Sequence, residues 1–165
     1  MHELLTESVA PDVIAKMEAT FRQRDRQAAA DARERYAILE RSLVKLSAAG
    51  AQVVLGADTG VEDHLFGLAE HLELQAMVDA GMTPAQVLVA ATSRAAEYLN
   101  LDDRGSLVPG KRADLLVLDA SPLDDIVNTR RISRTFIDGV EIDRAALSAQ
   151  IKDLVVPSSG LHSRD

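Results

Sequence analysis

The chain contains no cysteine and no tryptophan, and it has only three phenylalanines and two tyrosines among 165 residues. Without cysteine it can form no disulfide, no thiol nucleophile and no thiolate zinc site. With so few aromatic side chains, any hydrophobic core must be built mainly from leucine, valine, isoleucine and alanine. The polar chemistry of the protein therefore has to come mostly from carboxylates and four histidines.

Clustered positive charge and long apolar runs are also absent. The formal net charge of −8 disfavours nonspecific binding to nucleic acid, because the phosphate backbone requires grouped lysines and arginines. No segment approaches the roughly 20 apolar residues that a membrane span needs. The N-terminus has no basic stretch followed by an apolar one, so it is not a signal peptide. We expect a soluble cytoplasmic protein that binds neither nucleic acid nor membrane.

The length fits one domain, but it is well below the roughly 250 residues of a complete eight-stranded α/β barrel. Apolar residues at helical spacing predict a helix that starts near residue 11, followed by helices over about 25–48, 67–80 and 84–99. The second of these should have one apolar face, which consists of Tyr36, Leu39, Leu43 and Leu46. Gly50 is placed to end this helix. Thr83, Pro84 and Gln86 have the spacing of a capping box at the start of the last one.

One apolar run, Gln52–Gly56, predicts a buried strand that leads directly into Asp58. The pattern changes after Leu101, where turn signals become frequent. Strands are predicted over 113–119, 132–137 and 140–142, with Asp138 and Gly139 as a hairpin turn between the last two. A short helical turn over 122–128 and a closing helix over 144–154 complete the prediction.

Three segments in this order resemble the amidohydrolase superfamily, most closely its imidazolonepropionase-like metal-dependent hydrolases. Gly50–Gly60 (GAQVVLGADTG) is similar to the last barrel strand of that family. The stretch from His71 to Thr92, which contains HLEL and VDAGMTP, resembles the two helices that follow this strand. Gly105–Leu115 (GSLVPGKRADL) resembles the return of the chain to the family's small β-sandwich domain.

The resemblance implies an α/β fold. Residues 1–100 would be the C-terminal segment of a TIM-type (β/α)8 barrel, which is incomplete on this chain. Residues 101–154 would be part of a small β-sandwich domain with a closing helix, and residues 155–165 a flexible tail. In complete members, a His-x-His pair ends the first barrel strand, and later strands supply a lysine or a further carboxylate and two more histidines. No His-x-His pair occurs in this sequence.

Asp58 resembles the strand-8 aspartate of the family, and the resemblance implies that it is both a metal ligand and a catalytic proton shuttle. A metal ion, usually zinc in the family, lowers the pKa of its bound water to about 7, and a nearby carboxylate can accept the proton. The implied reaction is the hydrolysis of carbon–nitrogen bonds other than peptide bonds in a small amide-type substrate. The plainer interpretation is a loop aspartate that caps its own backbone.

Three further residues are candidates for the same site. His64 follows Asp58 in a loop that would line the barrel mouth, where it could bind substrate or be an ordinary exposed histidine. His71 and Glu73 match a motif on the following helix and would orient the loop. His71 could also contact Asp58 as a hydrogen-bond partner of the metal ligand. Lys111, Arg112 and Asp114 are expected to form structural ion pairs, with no part in the chemistry.

Two classes of function remain open. A catalytic zinc needs about three protein ligands, so one carboxylate predicts that this chain alone binds zinc poorly and is inactive unless an N-terminal polypeptide completes the site. The alternative is a non-enzymatic, truncated remnant that acts as an assembly or binding module, since unpaired strand edges favour self-association. The chain could be a natural truncation, a separate subunit or an artificial fragment.

Overall fold

The structure is a computed structural model that describes residues 12–15, 19, 26–60 and 65–154. Its elements are α1 (Arg26–Ala48), α2 (Ala69–Asp79), α3 (Pro84–Ala91), α4 (Ser93–Tyr98), β1 (Leu115–Leu118), a 3-10 helix (Ile126–Arg130), β2 (Ile132–Ile137), β3 (Val140–Glu141) and α5 (Arg144–Leu154). The described residues divide into two compact units, of which the larger is Arg33–Ile142 and contains the candidate site. None of the helices in these described ranges is long and apolar enough to cross a membrane.

The first long helix ends where the sequence predicts. Gly50 has a φ of +83°, a left-handed conformation that glycine adopts without a steric penalty. Its N–H donates to the Ser47 carbonyl at 3.1 Å, and the Ala51 N–H donates to the Leu46 carbonyl at 3.0 Å. These two bonds form a Schellman motif, which satisfies carbonyls at the end of α1 and fixes the direction in which the chain leaves it.

The capping box at the start of α3 is also confirmed. The Gln86 N–H donates to the Thr83 hydroxyl at 3.3 Å, while the Thr83 N–H donates to Oε1 of Gln86 at 2.8 Å. Pro84 occupies the first turn, where its missing N–H costs no hydrogen bond. Local sequence alone is therefore enough to specify where this helix begins.

The core of the larger unit is aliphatic, as the composition predicts. It lies between α2, α3 and the 3-10 helix, and its buried members are Leu74, Met77, Met82, Val87, Ala90 and Ile126. Val87 has no exposed surface at all. Packing of these side chains removes apolar surface from water, which is the main stabilising contribution in a protein without disulfides.

The predicted apolar face of α1 is covered at only one of its four residues within the described part of the chain. Leu43 packs against the core, but Tyr36, Leu39 and Leu46 are exposed. A Cβ at Gly81 would lie 3.4 Å from Cγ2 of Val44, so α1 approaches the turn after α2 closely at this point. The core is small and reaches α1 only near Leu43 and Val44, which leaves the rest of the apolar face uncovered within the described residues.

The single helix predicted over 84–99 is wrong as well, because it is divided at Thr92. This residue has φ −124° and ψ −89°, outside the helical region, and its hydroxyl donates to the Leu88 carbonyl at 2.7 Å. Such a bond to the preceding turn competes with the helical main-chain bond. Gly105 packs against the division so closely that a Cβ there would lie 2.5 Å from Cβ of Ala96.

The β-rich section forms a three-stranded antiparallel sheet in the order β1–β2–β3. Asp138 and Gly139 join β2 to β3 with φ values of +53° and +79°, the two positive values of a type I′ turn, so the predicted hairpin is confirmed. The Asp138 N–H donates to Oδ1 of Asp114 at 2.7 Å, which ties the turn to the residue before β1. The helical turn predicted over 122–128 is present as the 3-10 helix, displaced toward the C-terminus.

Ion pairs beside this hairpin agree with the predicted structural role of two residues. Nε of Arg112 lies 3.7 Å from Asp114 and 3.4 Å from Asp138. Lys111 makes a hydrogen bond instead, which it donates to the Arg104 carbonyl at 3.2 Å. These partly exposed contacts hold the loop before β1 against the hairpin turn, although exposed pairs of this kind each contribute little free energy.

Candidate functional site

The candidate site lies at the end of residues 51–58, which we call the Asp58 segment. The prediction of a strand over Gln52–Gly56 is wrong, because the segment has no regular secondary structure. Its first residue, Ala51, is bonded to the end of α1, and further along the Leu55 N–H donates to the Ala90 carbonyl at 3.3 Å. A strand requires a ladder of hydrogen bonds to a neighbour, and the described residues place no strand beside this segment.

Asp58 itself is exposed and has a φ of +47°. This left-handed conformation is unfavourable for residues with a side chain, although aspartate tolerates it better than most. Two residues later, Gly60 has a φ of +98°, and a Cβ there would lie 3.1 Å from Cζ of Phe66. The main chain therefore turns sharply at Asp58 and leaves room for the Phe66 ring over Gly60.

Glu70, which no sequence motif singles out, binds both Thr59 and Gly67 in the region that follows Asp58. Oε1 of Glu70 accepts a hydrogen bond from the Thr59 hydroxyl at 2.6 Å, and Oε2 accepts one from the Gly67 N–H at 2.9 Å. Burial alone would raise the pKa of Glu70, but these hydrogen bonds outweigh it and the pKa lies below its usual value. The available signal was an acidic residue in the first turn of a helix that has no N-cap side chain.

His71 points toward the 3-10 helix. Its Nδ1 lies 2.9 Å from the hydroxyl of the buried residue Thr129, which donates its only proton to the Ile126 carbonyl. The Thr129 hydroxyl must then accept from His71, which places a proton on Nδ1 and leaves a lone pair on Nε2 of the neutral ring. Burial, and then the positive charge of Arg130, lower the pKa of His71 below 6.5, against an opposing effect of Glu70.

Glu73 lies on a different side of the same helix. Burial, followed by the negative charges of Glu40 and Glu73, raises the pKa of the Tyr36 phenol, so Glu73 is close to that residue of α1. His71 and Glu73 are two positions apart on α2, a spacing that points side chains in different directions. No hydrogen bond between described residues joins either side chain to Asp58. His64, like His2 and His162, lies outside the described residues.

The described residues do not fit a metal ion by themselves. They contain no group of three or more histidine, aspartate or glutamate side chains that could hold one. A catalytic zinc needs about three such ligands, and Asp58 offers one. The chemistry that Asp58 can supply is therefore that of one exposed carboxylate at a turn of the main chain.

A cleft of about 360 Å³ runs beside the start of the Asp58 segment. Its apolar wall includes Val53 from the segment and Met82, Val89 and Ala90 from the region of α3. Ala51 and Val53 therefore border open space on one side of the Asp58 segment.

Comparison with known proteins assigns the chain to a family. Residues 18–142, which include the Asp58 segment and the three-stranded sheet, match the amidohydrolase family. The match covers more than half of the chain, so this protein belongs to the amidohydrolase family. Within that family it is imidazolonepropionase-like, as the sequence motifs predict.

Individual relatives agree with this assignment. The imidazolonepropionase of Deinococcus deserti is 38% identical over 85 residues, which cover 52% of this chain and 21% of that enzyme. The adenine deaminase of Ligilactobacillus salivarius is 33% identical over 76 residues, which cover 45% of this chain and 12% of that enzyme. The structure of molinate hydrolase matches 74% of this chain and 29% of its own, with 30% identity and a TM-score of 0.56.

The similar structures are barrel enzymes of the amidohydrolase family, and this chain is likewise a mixture of helices and sheet. The matched part is about a fifth of the imidazolonepropionase, at 21% of its length. The chain thus corresponds to a small share of each of these enzymes, and the activity of a whole enzyme does not transfer with it.

Proposed function

We propose that this chain is the C-terminal part of a metal-dependent amidohydrolase that cleaves carbon–nitrogen bonds other than peptide bonds in small amide-type substrates. Residues 1–100 would complete a (β/α)8 barrel, and residues 101–154 would contribute to a small β-sandwich domain. The observation that carries this proposal is the family match over residues 18–142, which contains Asp58 at the end of its segment.

Asp58 is the residue that this chain would give to the active site. Its carboxylate is exposed at a turn between the Asp58 segment and the loop that leads to α2. Catalytic residues of this fold are found at the C-terminal ends of the barrel strands, which is the position that Asp58 would have in a complete barrel. We propose that it is a ligand of a divalent metal, zinc by analogy with the family, and the proton acceptor of the site. His64 is proposed to contact substrate, and His71 and Glu73 to support the loop.

The remaining ligands would have to come from another polypeptide segment. Among the described residues Asp58 belongs to no group of three or more side chains that could hold a metal ion. The open space beside the Asp58 segment is compatible with this view, because Ala51 and Val53 line a cleft that the described residues leave unfilled. The chain alone should therefore bind zinc weakly and hydrolyse no amide.

The test has two stages. Equilibrium dialysis of the purified chain with zinc should give much less than one bound ion per chain. The DNA upstream of Met1 is then searched for an in-frame His-x-His pair, and any polypeptide encoded there is produced together with this chain. The complex should bind zinc stoichiometrically and hydrolyse amides, and Asp58→Asn should lower zinc affinity by about tenfold or more.

A matched control for this test is Asp79→Asn, which removes an exposed aspartate at the end of α2. It should leave zinc binding unchanged. Stoichiometric zinc and amide hydrolysis in the chain alone would contradict the proposed dependence on a partner. Equal zinc binding by the Asp58→Asn complex would contradict the role of Asp58.

A second candidate is a non-enzymatic module that assembles with other chains. It is favoured by apolar side chains that remain exposed, among them Leu39 at 64%, Val140 at 65% and Leu107 at 81%. Exposed apolar patches favour association. Size-exclusion chromatography with light scattering distinguishes the cases, since this module predicts a concentration-dependent oligomer, and a monodisperse monomer at high concentration argues against it.

A further inference from the structure

Glu70 joins the two ends of the loop that begins just after Asp58. Thr59 is bonded to Oε1 at 2.6 Å and Gly67 to Oε2 at 2.9 Å, so each carboxylate oxygen holds a different end. An ionised carboxylate only accepts hydrogen bonds, so the Thr59 hydroxyl must donate. We call this arrangement the Glu70 clasp. It is made of two charge-assisted hydrogen bonds, which are stronger than neutral ones.

The clasp binds Thr59, and the preceding residue, Asp58, has an unfavourable main-chain conformation. Asp58 has a φ of +47°. For a residue other than glycine, this left-handed conformation costs about 1–2 kcal/mol, which lowers its population about fivefold to thirtyfold. Some other contact must supply that free energy. The Asp58 carboxylate is exposed and has no hydrogen bond to another described residue, so its own side chain does not supply it. The side-chain hydrogen bond nearest to Asp58 along the chain is the one that the Thr59 hydroxyl donates to Glu70.

We propose that Glu70 is a positioning residue that keeps Asp58 in its left-handed conformation and so fixes the direction of the Asp58 carboxylate. This proposal rests on the proposed function for its importance to the chemistry, but its geometry can be tested on the chain alone. The ordinary alternative is that Glu70 only stabilises α2, because a negative charge in the first turn interacts favourably with the helix dipole.

Four substitutions separate these explanations. Glu70→Ala removes both the hydrogen bonds and the charge. Glu70→Gln removes the charge, but its amide oxygen can accept from Gly67 and its amide nitrogen can donate to the Thr59 hydroxyl. Thr59→Val removes one hydrogen bond and leaves the charge of Glu70 beside the helix. Thr59→Ser retains the hydroxyl and is the conservative control for Thr59→Val.

The measurement is NMR of the isotopically labelled full chain. The three-bond HN–Hα coupling and the backbone carbon shifts of Asp58 report the sign of φ, and amide exchange reports the Gly67 hydrogen bond. In Glu70→Ala, Asp58 should lose its positive-φ signature and the Gly67 amide should exchange about tenfold faster. Thr59→Val should change Asp58 in the same direction, while Glu70→Gln and Thr59→Ser should retain the wild-type signature.

Glu97→Ala is a matched control, since it removes an exposed glutamate from α4 and should leave the signals of Asp58 unchanged. Urea midpoints and far-ultraviolet circular dichroism identify any variant that fails to fold, and Thr59→Val then carries the test. The proposal is overturned if Asp58 keeps its positive φ in Glu70→Ala and Thr59→Val. It is also overturned if Glu70→Gln behaves like Glu70→Ala, because the charge alone would then be responsible.

These outcomes do not depend on whether Asp58 binds metal. If the clasp variants change Asp58 but Asp58→Asn leaves zinc binding of the completed protein unchanged, the positioning role stands and the proposed function fails. If Asp58→Asn abolishes zinc binding while the clasp variants leave the Asp58 signals unchanged, the proposed function stands and the clasp has no positioning role.

Discussion

The region of α2 and α3 and the Asp58 segment lie side by side but differ in what specifies their structure. Both ends of the connection between the two helices carry local signals: Gly81 has a φ of +113° after α2, and Thr83 and Gln86 form a capping box before α3. Beyond the Ala51 bond to the end of α1, the described residues give the Asp58 segment one main-chain hydrogen bond, from the Leu55 N–H to the Ala90 carbonyl. The helices are specified by residues near them in sequence, while a barrel strand depends on neighbours far away in the chain.

This difference explains why the helical region has a hydrophobic core while the Asp58 segment has no regular secondary structure. Helices satisfy their main-chain groups internally, so packing of one apolar face is enough to hold them. A parallel strand satisfies its main-chain groups through other strands. Asp58, which we propose as the catalytic residue, lies at the end of the segment that would depend most on such neighbours.

The largest expected effect compares the two regions directly. Met77→Ala removes a buried side chain of α2, and such substitutions cost about 2–5 kcal/mol in the free energy of unfolding. Val53→Ala in the Asp58 segment should cost about 1 kcal/mol or less, because Val53 is only partly buried and borders an open cleft. Urea denaturation measures both. Equal losses would show that the segment belongs to the core as fully as α2 does.

A pair of glycine substitutions tests how firmly the helical region is fixed at its far end. Gly105→Ala would place a Cβ at 2.5 Å from Cβ of Ala96, whereas Gly110→Ala meets no atom within 4 Å. Both glycines have positive φ, so both variants pay a conformational cost of about 1–2 kcal/mol. The clash should cost Gly105→Ala about 1–3 kcal/mol more in thermal or urea denaturation. Indistinguishable losses would mean that the loop moves away from α4 freely.

The smallest effect concerns His71, which joins the helical region to the 3-10 helix. Its pKa in the folded chain lies below 6.5 because of burial and the charge of Arg130, so the folded state binds its proton less readily than the unfolded state. The stability from the neutral ring is complete above pH 6.5 and is lost as the pH falls through the folded-state pKa. His71→Gln should lack this part of the pH dependence. If the unfolding free energies of the wild type and His71→Gln followed parallel curves between pH 7 and 5, this contribution of His71 would be refuted.

Much of the fold was predictable because its signals are local. The capping box at Thr83, the C-terminal glycine at position 50 and the Asp138–Gly139 turn each depend on a few adjacent residues. The division at Thr92 was not predictable from helical periodicity, because it involves Gly105, which comes from a separate loop. The exposed face of α1 was missed for a related reason: apolar spacing indicates a face that can be buried, but the partner must also be present.

The candidate site was predictable only in part. Motif resemblance predicts Asp58 as a site residue, but neither its positive φ nor the hydrogen bonds of Glu70 could be derived, since the Glu70 carboxylate binds Thr59 and Gly67, which are eight residues apart. His71 was expected to support Asp58, and the structure gives it Thr129 as a partner, 58 residues further along the chain. His71 and Glu73 are two residues apart on a helix, and side chains at this spacing point in different directions.

The Schellman motif at Gly50 has a consequence for association. It fixes the start of the Asp58 segment, and the Glu70 clasp holds the loop at its other end, so the segment is restrained on both sides. A restrained segment loses less conformational entropy when a second strand pairs with it than a free one does. The chain would thus offer a preorganised edge, and part of the entropic cost of completing the sheet is met before any partner arrives.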